Sequence, residues 1–186
     1  MTDDDNKKLL KQFHKLTDRH ILIAETDMSF SDIQKVIALS NRIRKAGNEL
    51  VSLMKNNYEQ LMRTKRYRKL LKLYGSAEDK NMRKNLATQL SEMQKQYNVT
   101  FENCRTAMIP ISKKYNIDAV FALTKAEDIW KGIEKCLYGN GKTIHFSKYD
   151  NLPTIRAKQI NRGISVSVKD NKLQFKLGKT TFGLKK

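Results

Sequence analysis

From Ile33 to Leu61 the chain keeps one stripe of apolar and small residues, three and four apart: Ile33, Val36, Ile37, Ser40, Ile43, Gly47, Leu50, Val51, Met54, Tyr58 and Leu61. Residues at that spacing share one face of an α-helix, so a run of about eight turns commits this part of the chain to a long amphipathic helix. Such a stripe has to be buried, which demands further elements of matching length. Ser31-Asp32-Ile33-Gln34 has capping-box spacing and predicts the start. The stripe continues through Tyr67, Leu70 and Leu71, so the helix is expected to run on until Tyr74-Gly75-Ser76 stops it.

The partners follow. Ser76 and Asp79 are candidate caps for a helix with the stripe Met82, Leu86, Leu90, Met93 and Tyr97. Another helix starts at Thr100 and carries Phe101, Cys104, Met108 and Ile111, with Pro110 expected to end or kink it. Thr124 with Glu127 predicts the start of a last helix, bearing Trp130 and ending at Gly139. Beyond Lys142 the period falls to two: Lys142–Tyr149 alternates like a strand. Ile164, Val166 and Val168 then oppose Leu173, Phe175 and Leu177 across an Asp170-Asn171 turn. His20–Thr26 reads as one strand ahead of the helices. The expected fold is α+β, a mainly helical lobe inserted into a small antiparallel β-framework or partial barrel. Its expected divisions are a lead and first strand at 1–30, the helical lobe at 31–139 and a basic β region at 140–186.

Gly139-Asn140-Gly141-Lys142-Thr143 is half of a phosphate-binding loop. The other half fails, because the first required glycine falls on Cys136 and the flanks run helix to strand, whereas the loop needs strand to helix. These glycines therefore predict a helix C-terminus and a tight turn.

Charge narrows the function. Among 186 residues, 37 Lys and Arg stand against 19 Asp and Glu, a net charge of +18, which points to a polyanionic partner. Residues 131–186 hold 13 basic and 3 acidic side chains, so the last third is the most basic per residue. Cys104 and Cys136 form no Cys-x-x-Cys pair, which argues against structural zinc and a disulfide framework. No apolar stretch approaches the roughly 20 residues that span a bilayer, and the acidic start is unlike a secretory leader, so a cytoplasmic protein without a membrane partner is expected.

Two basic clusters stand out as candidate binding sites. Arg63, Lys65, Arg66, Arg68, Lys69 and Lys72 lie on the helical stripe's outward sides, with Tyr67, Leu70 and Leu71 turned inward. Lys142, His145, Lys148, Arg156, Lys158 and Arg162 are interleaved with Phe146 and Tyr149. Cations for phosphates beside an aromatic for stacking suit single-stranded or A-form nucleic acid; Phe146 is expected in the core and Tyr149 at the site. His14, His20 and His145 have no metal-ligand spacing, and no acidic set, cofactor motif or nucleophile arrangement appears.

The order of elements, together with three stretches, resembles the N-terminal half of the transposon-encoded TnpB proteins and their relatives, the type V CRISPR effectors. Leu39–Met54 is similar to the family's first recognition helix, with Asn48 and Leu50 in its Asn-x-Leu core. Ile129–Ile164 is similar to its helix, glycine turn and basic return strand, and Leu173–Lys186 to its strand pair around Leu177-Gly178-Lys179. The resemblance covers most of residues 20–186. It implies a β wedge interrupted by a recognition lobe, gripping guide RNA and the guide–target heteroduplex, with RNA and DNA as partners. The family's RuvC-like nuclease and zinc ribbon would follow the wedge. No matching acids are found here, so the expectation is a non-catalytic nucleic-acid-binding portion. Alternatives are one half of a split nuclease completed by a separate chain, or a regulator that binds RNA or a full-length relative.

Overall fold

The structure, a computed structural model, describes residues 26–27, 29–139, 141–149, 154–157, 162–169, 172–178 and 180–184. Among them run β1 (Thr26–Asp27), five helices, α1 (Phe30–Arg63), α2 (Lys65–Ser76), α3 (Lys80–Gln96), α4 (Phe101–Lys114) and α5 (Ala119–Tyr138), then β2 (Ile164–Lys169), β3 (Lys172–Leu177) and β4 (Thr180–Leu184). The class is α+β. The chain divides into two compact units, one of residues 1–35 and 159–186, the other of residues 36–158. The helices are thus an insertion between β1 and β2. The boundary expected at 139/140 falls at 158/159, because the segment after α5 is held to α1 and α5 by side chains.

In the first unit the sheet order is β1-β4-β3-β2, all neighbours antiparallel. Ile164 faces Leu177, Val166 faces Phe175 and Val168 faces Leu173, so the period-two pattern set the register. Phe175 also faces Phe182 on β4, and Gly178, at φ 60°, makes the turn between those strands. His20–Glu25 and the Asp170-Asn171 turn lie outside the described residues.

In the second unit the core is built from Ile43, Leu50, Val51, Met54 and Leu61 of α1, Tyr67 of α2, Leu86, Leu90 and Met93 of α3, Cys104 and Met108 of α4, and Phe121, Ile129 and Ile133 of α5. Ile33 and Ile37, expected on the buried stripe, are exposed. Burial on α1 starts at Ser40.

Several expected helix ends move. The Ser29 hydroxyl, not Ser31, accepts the Asp32 amide at 3.1 Å, because Ser29 is the residue just before the helix. The long helix breaks at Thr64, which takes an extended backbone (φ −71°, ψ 119°). There the Thr64 hydroxyl donates to the Gln60 carbonyl (3.2 Å) in place of the helical amide, which turns instead to Leu61 (3.1 Å). Asp79 caps α3 from its expected place, accepting the Met82 amide at 2.6 Å. Thr100 caps α4, accepting the Asn103 amide at 3.1 Å, and α4 continues through Pro110 to Lys114. Asp118, not Thr124, caps α5; Thr124 lies a turn inside, its hydroxyl spent on the Val120 carbonyl at 2.9 Å.

Candidate nucleic-acid interface

The break at Thr64 turns the basic run into a separate short helix that packs on α3. Tyr67 is fully buried, and its hydroxyl accepts from Gln94 Nε2 at 2.9 Å. Gln94 Oε1 in turn accepts the hydroxyl of the exposed Tyr138 at 2.7 Å, so a polar chain that starts buried at Tyr67 and Gln94 and ends at the surface ties α2 to α3 and α5. With Tyr67 and Leu70 inward, Lys65, Arg66, Arg68, Lys69 and Lys72 are all exposed. Leu71, expected inward, is only half-buried. Among the described residues none of those five cations has a carboxylate within 4.0 Å; Arg63, at the end of α1, meets Glu59 at that limit. Sequence reasoning missed Arg83 on α3, whose guanidinium sits 5.0 Å over the Tyr74 ring of α2 and extends this surface. Its signal was compositional: residues 63–84 hold nine basic and two acidic side chains.

The second cluster is differently made. Lys142–Tyr149, expected to be a strand, pairs with no strand among the described residues. The segment forms a strap along α1. The Asn48 amide takes the place of a ladder partner: its Nδ2 donates to the Ser147 carbonyl at 3.0 Å, and its Oδ1 accepts the Ser147 amide at 2.9 Å. Lys125 of α5 donates to the Ser147 hydroxyl at 3.3 Å. Its stem passes so close to Gly47 that a Cβ there would lie 2.5 Å from Lys125 Cε. Burial pushes the Lys125 ammonium below the usual lysine range, opposed by Asp128 and helped by Arg156.

The strap starts from a tight turn in which the Gly139 and Gly141 amides both donate to the Lys135 carbonyl, each at 3.0 Å. A Cβ on Gly141 would stand 2.9 Å from the Lys135 carbonyl carbon, which accounts for the glycine there. Along the strap only Ile144 is buried. Phe146, expected in the core, is 48% exposed with Lys55 of α1 5.8 Å from its ring centre. The alternation fails because no sheet fixes which way successive side chains point.

Lys142, His145, Lys148 and Tyr149 are exposed on this strap, with the His145 ring 3.0 Å from the Thr143 hydroxyl. Arg156 is not a free cation: it forms an ion pair with Asp128 of α5. Arg162 is exposed but belongs to the other compact unit, and Lys158 lies outside the described residues. No hydrogen bond, ion pair or ring contact joins the strap cations to those of α2 among the described residues.

Among the described residues no group of three or more His, Cys, Asp or Glu could hold a metal ion, and no helix is long and apolar enough to cross a membrane. Comparison of the chain with family models, with curated proteins and with solved structures finds no match.

Proposed function

We propose that this chain binds structured RNA through its phosphate backbone, without cutting it, as the gripping part of a TnpB-like RNA-guided system that also engages DNA. The observation that carries this reading is α2: five exposed cations with no carboxylate within 4.0 Å among the described residues, on a helix anchored by the buried Tyr67 and its hydrogen bond to the buried Gln94. A merely solubilising helix needs no such anchor. Fixed, unneutralised cations are suited to a polyanion of defined shape, since each phosphate they neutralise releases condensed counterions. The net charge of +18 supports the same ligand class, and the resemblance at Leu39–Met54 and Ile129–Ile164 supports a guide-like RNA.

The test is RNA binding by the full chain as salt is raised, for the native protein and for Arg66→Gln/Lys69→Gln/Lys72→Gln. The expected outcome is affinity falling steeply with salt and a triple variant whose log–log slope is shallower by about 2 units, at about 0.7–0.9 per phosphate contact. Melting temperature should hardly change, because exposed charges contribute little to stability. A triple variant with the native slope and affinity would refute the assignment to α2.

A further inference from the structure

The strap carries two exposed rings, each backed by a cation from the same helix. Lys55 lies 5.8 Å from the Phe146 ring centre, and Arg44 lies 4.9 Å from that of Tyr149, which is 74% exposed. Between the rings Ser147 is gripped at its amide, carbonyl and hydroxyl by Asn48 and Lys125. Two rings three residues apart are thereby presented to solvent on a pinned segment of chain. Residues 141–149 contain no acid; Lys142 precedes the two rings and Lys148 lies between them.

Arg44 supplies an independent observation. It is only 8% exposed, its Nε has no hydrogen-bond partner, and among the described residues its one contact of this kind is the Tyr149 ring. With its guanidinium against one face of the ring, Arg44 holds Tyr149 at the surface, where the ring is 74% exposed and open to a stacked base.

We infer that Phe146 and Tyr149 form a stacking seat for unpaired nucleotides of the bound RNA, with the exposed Lys148 placed for their phosphates and Arg44 backing the Tyr149 ring. This rests on the RNA-binding reading above and adds to it a single-stranded site separate from the α2 surface. Stacking on such rings is tolerant of sequence, because every base has a π face.

The test measures binding of the full chain to a labelled 12-residue oligo(U), to the same backbone lacking bases, and to a perfect RNA duplex. Phe146→Ala and Tyr149→Ala should each weaken oligo(U) binding by about 5- to 100-fold. Duplex binding should be unchanged, and the abasic strand should bind native protein and double variant alike. Tyr149→Phe should retain the native oligo(U) affinity, which a loss of fold would not allow. Arg66→Gln/Lys69→Gln/Lys72→Gln should weaken the duplex most. Native oligo(U) affinity in the double alanine variant would overturn the seat while leaving the α2 reading intact. Equal loss of oligo(U) and duplex would also overturn it, by showing that the rings only position the strap. Tighter binding of oligo(dT) than oligo(U) would assign the seat to a DNA strand and overturn the RNA assignment. Failure of the native protein to bind any of these ligands would refute the function itself.

Discussion

Asn48 shows how one side chain can replace a strand. Its amide presents a donor and an acceptor to Ser147 in the geometry of a neighbouring backbone, 99 residues away along the chain. Asn48→Ala would leave both Ser147 backbone groups without their partners in a half-buried position, at a cost of about 1–3 kcal/mol. Asn48→Asp, which keeps the acceptor and loses the donor, should fall between alanine and native. Urea denaturation measures the cost, and faster exchange of the Ser147 amide in Asn48→Ala would locate it; native stability in that variant would show the contact to be dispensable. Nothing in Lys142–Tyr149 itself foretold this. Alternation of polar and apolar residues reports an extended backbone, and the partner that satisfies it is named nowhere in the stretch.

At the level of elements, the helices were legible and their ends much less so. The stripe is a sum over many residues, whereas an end is decided by one residue among several chemically equal candidates. Asp79 was identified correctly, and it is the cleanest cap to test. Its carboxylate accepts the Met82 amide at 2.6 Å, so Asp79→Ala should lower stability by about 1 kcal/mol and Asp79→Asn by much less, as urea midpoints would show. Equal midpoints for native and Asp79→Ala would mean that α3 does not depend on its cap. The break at Thr64 escaped the pattern because the stripe keeps its period across it: Leu61 and Tyr67 are both buried, yet they belong to different helices. The consequence for the candidate site is large. A continuous helix would have carried the cations onward along α1; the break lays them over α3, beside Arg83.

For the whole molecule, the core of the helical unit makes a prediction through its thiols. Cys104 is fully buried between α4 and α5, donates to the Ala126 carbonyl at 3.4 Å, and is pushed by burial up to about 12. Cys136 is also shifted upward by burial but remains partly exposed. Thiolate is the reactive form, and a buried thiol with so high a pKa reacts only when the unit opens. At pH 8 a thiol reagent should therefore modify Cys136 in native protein and leave Cys104 intact, with Cys104 labelling in Cys136→Ser rising as urea approaches the unfolding midpoint. Prompt labelling of Cys104 in native buffer would contradict the packing of α4 on α5.

Local windows of the sequence determined whatever depends only on near neighbours. The helical period, the register of Ile164–Lys169 against Lys172–Leu177, the glycine turn at Gly141 and the cationic character of residues 63–72 are of this kind, because each is set within a few residues. Tertiary structure alone decided which cations of the two basic clusters meet an acid. Arg156 is paired with Asp128, whereas among the described residues the five α2 cations have no carboxylate within 4.0 Å, a difference that depends on which acid another helix brings near. It also decided that Phe146 faces solvent and that Arg44 lies buried beneath Tyr149. Contacts between residues distant in the chain are chosen by how whole faces pack, and no short stretch carries that information.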